Sequence, residues 1–217
     1  MKKLGDIEKN DATITNNMKY HAVIDTNVLV SFLLTKNPES SVVKVMELIK
    51  EGTIVPLLHH EITKEYNEVL RRCNFGFNET TITDLISILI NTGISCDRQE
   101  TIESFPDPDD IVFYEVSLSV DDAYLVTGNL KHFPKNGRVV TPAEMLQIIH
   151  LAENSGGSVC EPDIVFLSDQ KRTAIEKGWQ VAEKIRQQAA GNGTCNITID
   201  EINRIIREYR QELKRIS

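Results

Sequence analysis

The sequence lacks several features that would assign it to a particular class of protein. No apolar run approaches the roughly 20 residues that a membrane-spanning helix needs. The polar N-terminal stretch contains no apolar core of the kind that secretory signals carry. The cysteines form no Cys-x-x-Cys pair and no Cys/His set with zinc spacing; they are Cys73, Cys96, Cys160 and Cys195. We therefore expect a cytoplasmic protein with reduced thiols and no membrane association.

The sequence also has fewer basic than acidic residues, 24 against 32. The net charge is −8, which argues against a general nucleic-acid-binding protein. The charge is unevenly spread, because residues 169–217 hold ten basic and seven acidic residues, about +3. The other 168 residues hold 14 basic and 25 acidic residues, a net charge of −11. This combination of an acidic body and a mildly basic tail needs an explanation.

Short apolar segments alternate with segments of helical periodicity. The predicted strands include "HAVID" at 21–25, "TIVPLL" at 53–58, "AYLVT" at 123–127 and "GRVVTP" at 137–142. Helical patterns lie between them, and one predicted helix covers 107–119, with Asp107 as its N-cap and Pro108 in its first turn. This alternation predicts an α/β fold, with a parallel sheet covered by helices on both faces.

The composition divides the chain into four predicted segments. Residues 1–19 read as a disordered arm, 20–152 as the α/β domain, 153–162 as a Gly/Ser-rich linker, and 163–217 as a helical tail. The tail contains two predicted amphipathic helices, at 170–190 and from Thr198 onward, where Thr198 and Glu201 form a capping box. Two such helices have no core of their own, so they must pack on this body or on another one.

Two carboxylates belong to predicted buried elements. Asp25 directly follows the first strand, and parallel sheets bind ligands beyond the carboxyl ends of their strands. Its alternative role is to cap the next helix. Glu65 lies on the apolar stripe of its predicted helix, where a carboxylate is costly unless it is paired or bound to a metal. The alternative is that Glu65 flanks the stripe, solvated or paired with Lys64 or Arg71.

Three further acids crowd the start of one predicted helix. They are Asp107, Asp109 and Asp110, and a helix N-terminus explains one or two of them. Three repel one another, and a divalent cation would relieve that repulsion. Asp110 shares a helix face with Phe113, which turns it inward, whereas solvated acids or an N-cap explain Asp107 and Asp109 well.

Thr127 and Asn129 follow the strand "AYLVT" and should reach the same edge of the sheet as Asp25. Oxygen ligands without cysteine or paired histidine suit Mg²⁺ or Mn²⁺. The amide of Asn129 can accept a hydrogen bond but carries no charge. We therefore expect a metal site that binds more weakly than one built from four acids.

The segments "IDTNVLVS", "EITKEYNEVL", "DPDDIVF", "YLVTGNLKHFP" and "VVTPAEML", in this order, resemble the PIN-domain family over residues 20–150. The resemblance is closest to VapC-type ribonucleases, the toxin components of bacterial toxin–antitoxin systems. It implies a cytoplasmic endoribonuclease that depends on Mg²⁺ or Mn²⁺ and commonly forms a homodimer. It also implies catalysis in which activated water attacks the phosphorus and the 3′ oxygen leaves.

The resemblance assigns roles to individual residues. It implies that the metal ligands are Asp25, Glu65 and Asp110. Asn129 stands at the fourth catalytic position, where the family usually has Asp, and the supporting residues are Asn27, Thr127 and Asp107.

The tail more weakly resembles the short helical antitoxins of the same systems, above all in "ITIDEINRIIREYRQE". Such antitoxins can place an arginine among the acids of the toxin. We therefore expect residues 163–217 to act as an antitoxin-like segment, in cis or from a second subunit. Arg204, Arg207 and Arg210 are the candidates to reach the acids. The alternative is that they are solvated charges paired with acids of their own helix.

Other α/β families fit less well. A phosphatase of the haloacid dehalogenase type needs a second acid two residues after Asp25, where this chain has Asn27. A receiver domain needs an acid pair after its first strand, and the P-loop pattern is absent. The remaining competitor is a PIN-fold protein that is catalytically weak and acts as an RNA- or protein-binding module, which Asn129 and the tail would both allow.

Overall fold

The computed structural model describes residues 18–154 and 197–216. Most of the predicted arm (1–19), most of the predicted linker (153–162) and the first predicted tail helix (170–190) lie outside these residues. The described part is an α/β fold with a C-terminal helix, as the sequence predicts.

A five-stranded parallel sheet forms the centre of the fold, with the strand order β3-β2-β1-β4-β5. The strands are β1 (Tyr20–Ile24), β2 (Ile54–Leu58), β3 (Ile94–Ser95), β4 (Tyr124–Val126) and β5 (Val139–Val140). The register pairs Ala22 of β1 with Pro56 of β2 and with Tyr124 of β4. Because all strands run the same way, their carboxyl ends meet at one edge, where β1 is the central strand.

The helices of the described residues are α1 (Thr26–Leu34), α2 (Ser41–Glu51), α3 (His60–Val69), α4 (Glu79–Thr92), α5 (Ile111–Ser117), α6 (Pro142–Asn154) and α7 (Ile199–Ile216). Helices α1 to α5 connect successive strands, whereas α6 and α7 follow β5. The helix predicted over 107–119 is shorter than expected. It opens as a 3₁₀ turn over Pro108–Asp110 and becomes α-helical at Ile111. Asp107 caps this turn by accepting a hydrogen bond from the backbone N–H of Asp109.

The core consists of apolar side chains from both faces of the sheet. Fully buried examples are Ile24, Leu29, Met46 and Phe113. Gly52 ends α2 with φ of 80°, a left-handed conformation that glycine adopts without steric cost. Among the described residues, no helix has the length and apolar character needed to cross a membrane.

Helix α7 packs on the domain, close to the carboxyl edge of the sheet. Its buried face contains Ile202, Ile205, Ile206 and Tyr209, and its main neighbour is α1. The capping box forms as predicted, because Glu201 accepts bonds from the backbone N–H and hydroxyl of Thr198. A side chain at position 128 would meet α7, since a Cβ atom at this position would lie 2.9 Å from the Cδ1 atom of Ile199. Glycine at 128 therefore lets α7 approach the loop after β4.

Candidate active site

Asp25 ends β1 and lies at the centre of the carboxyl edge, where it is 4% exposed. It caps α1 by accepting a bond from the backbone N–H of Asn27. Its Oδ2 atom accepts two further bonds, from the hydroxyl of Thr127 at 2.6 Å and the amide of Asn27 at 2.7 Å. Capping therefore uses Oδ1, and the bonds that Oδ2 accepts from Thr127 and Asn27 fix the carboxylate at the sheet edge.

Glu65 projects from α3 toward Asp25 and is buried. Its Oε1 atom accepts a 2.6 Å bond from the hydroxyl of Thr26. The alternative pairing with Arg71 does not form, because the guanidinium of Arg71 bonds Glu79 and Asn67. The structure thus places Glu65 inside the domain, where burial of a charge requires a partner.

Asp110 is the inward-facing member of the acid trio, and it is buried. Its Oδ2 atom lies 2.8 Å from Nδ1 of His132, a residue of the short 3₁₀ turn over Leu130–His132. Asp109 points outward and pairs with Lys214 at 2.8 Å. The structure therefore brings Asp110 to Asp25 and Glu65, as expected, with Asp107 beside them.

The loop after β4 borders the acids. Asn27 holds this loop, because its Oδ1 atom accepts a 2.9 Å bond from the backbone N–H of Gly128. Asn129 donates its backbone N–H to Thr127 at 2.9 Å, and it lines a small cavity together with Asp25 and Asp110. Asn129 thus borders the same cavity as Asp25 and Asp110, at the edge of the sheet predicted for it.

Arg210 of α7 enters the acid cluster. Its Nε and Nη2 atoms each donate a 3.0 Å bond to Glu65. Its Nη1 atom donates to Asp110 at 2.7 Å and to Asp107 at 3.0 Å. The side chain is 6% exposed, and its guanidinium carbon lies 5.9 Å from the ring centroid of Phe113. One buried guanidinium therefore bridges three of the carboxylates.

The other two predicted arginines of α7 differ from Arg210. Arg207 is exposed but borders the small cavity beside the acids. Arg204 is exposed, and its charge acts on Glu201 of its own helix. At about 100° per residue, position 204 lies roughly 120° around the helix from position 210, whereas position 207 lies roughly 60° away. The geometry of the helix thus directs Arg210 alone of the three into the acids.

A second set of contacts holds the C-terminal half of α7. The hydroxyl of Tyr209 donates to Glu68. The guanidinium of Arg72 lies over the Tyr209 ring, 5.2 Å from its centroid, and pairs with Glu212 at 2.7 Å. Glu68 lies on α3 and Arg72 follows that helix, and none of these contacts involves Arg210, so α7 has an anchor that does not depend on Arg210.

The site holds more negative than positive charge. Four carboxyl groups face one guanidinium, and the three hydrogen bonds that Asp25 accepts come from neutral groups. Burial, followed by repulsion from Asp110, raises the pKa of Asp25 to about 7, although Thr127 and Arg210 act in the opposite direction. A cation of higher charge than a guanidinium would compensate this excess better.

Other ionisable groups respond to the same surroundings. Burial raises the pKa of Glu65, and its bonds with Arg210 and Thr26 offset only part of that effect. Burial opposes the charge of Arg210, but Glu65 and Asp110 outweigh it and raise the arginine pKa. The hydrogen bond to Asp110 raises the pKa of His132 against the effect of burial.

Two residues join the cluster that the sequence patterns did not indicate. Thr26 bonds Glu65, and Asn203 of α7 accepts a 3.2 Å bond from the amide of Asn27. Asn203 precedes Arg210 by seven residues, two helical turns, so both lie on one face. The sequence could have indicated Asn203, because it is a polar residue on the otherwise apolar stripe of α7.

Another group of possible ligands lies after β2. Ligand atoms of His59, His60 and Glu61 are within 4.8 Å of one another. The Nδ1 atom of His59 caps α3 by accepting the backbone N–H of Glu61, and the Glu61 carboxylate pairs with Arg98 at 2.8 Å. Capping and an ion pair thus account for the side chains of His59 and Glu61.

One of the three comparisons with known proteins found a match. A family model described as PIN domain matches residues 21–131, about half of the chain. Neither the curated proteins nor the solved structures gave a match. The matched region contains Asp25, Glu65, Asp110 and Asn129, and it ends before α7.

Proposed function

Because the chain belongs to the PIN-domain family, whose members are generally nucleases, we propose that it is a metal-dependent endoribonuclease restrained by its own C-terminal helix. The observation that carries the proposal is the convergence of Asp25, Glu65 and Asp110 at the carboxyl edge, with Arg210 among them. Membership of the family supports the nuclease activity, and the contacts of Arg210 support its inhibition by α7.

The donor set fits a hard divalent cation. Asp25, Glu65 and Asp110 offer carboxylate oxygens, and Asn129 offers an amide oxygen beside them, which suits Mg²⁺ or Mn²⁺. The buried guanidinium is evidence that the site favours a cation, and the raised pKa of Asp25 reflects the charge that remains uncompensated. A bound divalent ion would activate water and neutralise charge on the phosphodiester.

Residues of this chain hold each acid in place. Thr127 and Asn27 fix Asp25, Thr26 fixes Glu65, and His132 fixes Asp110. Such supporting hydrogen bonds preserve the direction of carboxylate oxygens and are a normal part of metal and catalytic sites. Substrate phosphate would approach over Asn129 and His132, because both border the cavity next to Asp25 and Asp110.

Helix α7 is proposed to act as the antitoxin does in a toxin–antitoxin pair. Arg210 takes up oxygens of Glu65, Asp107 and Asp110 that substrate and metal would need. Ile205, Ile206 and their neighbours bury an apolar face that keeps the helix on the domain. The toxin-like role, the inhibitory segment 163–217, supplied in cis or from a second subunit, and a homodimer are parts of the same proposal.

The second candidate function is an RNA- or protein-binding module of low catalytic power. Asn129 favours it, because the residue lowers the negative charge at the fourth position of the site. The two candidates differ in one respect that can be measured. A nuclease cleaves RNA once Arg210 is removed, whereas a binding module retains RNA or protein without cleaving RNA.

The test uses full-length protein and single-stranded RNA of mixed sequence, with Mg²⁺ or Mn²⁺. Arg210→Met should raise the cleavage rate about 10-fold or more, within the range of typical coupling between sites. Arg204→Met is the matched control, since it makes the same change on the exposed face of α7, and it should behave like the unmodified protein. Adding Asp25→Asn to Arg210→Met should abolish cleavage. Equal cleavage with and without Asp25 would refute the assigned site.

A further inference from the structure

With α7 in place, the inward carboxylates have little capacity left for another cation. Both oxygens of Glu65 accept bonds from Arg210. Asp110 contacts Arg210 through Oδ1 and His132 through Oδ2. A metal ion that binds these oxygens would lie next to the guanidinium carbon, and two cations at that separation repel each other strongly in a buried site.

Space is limited as well. The cavity between α7 and the acids, bordered by Asp25, Asp110 and Asn129, has a volume of about 10 Å³. A cavity of about 10–15 Å³ holds one water molecule. Mg²⁺ usually keeps several waters when it binds to proteins. The cavity therefore cannot accept such an ion while Arg210 stays in place.

We infer that a divalent cation and Arg210 bind the same carboxylates in mutually exclusive states. Binding of the cation therefore displaces Arg210 and weakens the docking of α7. The inference rests on the proposed function, because it takes the acids as the metal site. By linkage, docking of α7 weakens the affinity for the cation by the same factor by which the cation weakens docking. The divalent cation is then a regulator of the helix as well as a cofactor.

The contacts predict which part of α7 responds. The polar contacts with the domain lie mainly between Tyr209 and Lys214, whereas the buried isoleucines lie between Ile202 and Ile206. Loss of the Arg210 contacts removes the innermost polar contacts of the C-terminal half, which then keeps only the outer contacts of Tyr209, Glu212 and Lys214, whereas the apolar contacts of the first two turns all remain. The C-terminal half of α7 should therefore gain mobility first, with a smaller change in the first two turns.

The experiment titrates Mg²⁺, and separately Mn²⁺, into full-length protein without RNA. Calorimetry gives the cation affinity, and hydrogen exchange gives the protection of backbone amides in α7. Arg210→Met should bind the cation about 5–150-fold more tightly than the unmodified protein. Arg204→Met should bind it with unchanged affinity. In the unmodified protein, the cation should accelerate amide exchange in residues 209–216.

Equal cation affinities in all three proteins, or no binding by any, would overturn the inference. The exchange measurement needs no variant, so unchanged protection of α7 at saturating cation would also overturn it if Arg210→Met proved unstable. The proposed function can fail separately. Tighter cation binding by Arg210→Met without RNA cleavage would support the competition between cation and Arg210 and contradict the nuclease function. RNA cleavage with equal cation affinities would support the nuclease function and contradict the competition.

Discussion

Replacing Asp25 by asparagine should stabilise the protein progressively as the pH rises. The carboxyl group is buried, next to Asp110, and its pKa is about 7 instead of the ordinary 3.8. In the folded protein it therefore keeps its proton at pH values where the unfolded chain has lost it. The asparagine variant has no such group, so the variant and the unmodified protein should diverge with pH.

The sign and the size follow from proton linkage. A group whose pKa is raised by folding stabilises the folded state fully below its unfolded pKa, and that stability is lost as the pH rises through the folded pKa. The difference between 3.8 and about 7 for Asp25 corresponds to about 4 kcal/mol. That loss is a large part of the roughly 5–15 kcal/mol that typically separates the folded and unfolded states of a domain.

The assay is urea unfolding of both proteins between about pH 4 and about pH 8 in the presence of a chelator. The free energy of unfolding of Asp25→Asn, relative to the unmodified protein, should rise by about 4 kcal/mol over this range. Hydrogen bonds altered by the amide add an offset that does not depend on pH. The exposed Asp122, changed to asparagine, is the control. A relative stability of Asp25→Asn that stays constant with pH would refute the reasoning.

Two further substitutions test the loop after β4 and the second anchor of α7. Asn129→Asp, made together with Arg210→Met, should tighten Mg²⁺ or Mn²⁺ binding measured by calorimetry, because it restores a fourth carboxylate; unchanged affinity would make Asn129 a loop residue only. Tyr209→Phe removes the bond to Glu68 and should weaken the docking of α7 by about 1 kcal/mol. Hydrogen exchange of α7 measures this loss, and exchange rates equal to those of the unmodified protein would contradict it.

The sequence predicted the part of the site that local patterns determine. Asp25 follows an apolar strand, so the rule for parallel sheets placed it at the carboxyl edge, and Glu65 lies on an apolar stripe, so the helical period placed it on the inner surface. Asp110 was separated from Asp109 by the same reasoning, and the structure agrees, since Asp110 is buried while Asp109 pairs with Lys214. Positions fixed by the period of one helix or strand are accessible to such analysis.

The choice among the arginines of α7 was not accessible in this way. Arg204, Arg207 and Arg210 share one amphipathic helix, and which of them meets the acids depends on how that helix is rotated against α1. The rotation follows from packing between segments more than 140 residues apart, such as the contact between Arg210 and Glu65. The contact of His132 is also non-local, because its partner Asp110 lies 22 residues earlier, in the 3₁₀ turn that opens the predicted helix.

The most direct test of the account compares RNA cleavage by the unmodified protein and by Arg210→Met over a range of Mg²⁺ concentrations. If Arg210 and the cation compete for Glu65 and Asp110, the variant should be faster at low Mg²⁺. The two rates should converge as Mg²⁺ rises and displaces the arginine in the unmodified protein. Equal rates at every concentration, or no cleavage by either protein, would contradict the claim that α7 holds a nuclease site closed.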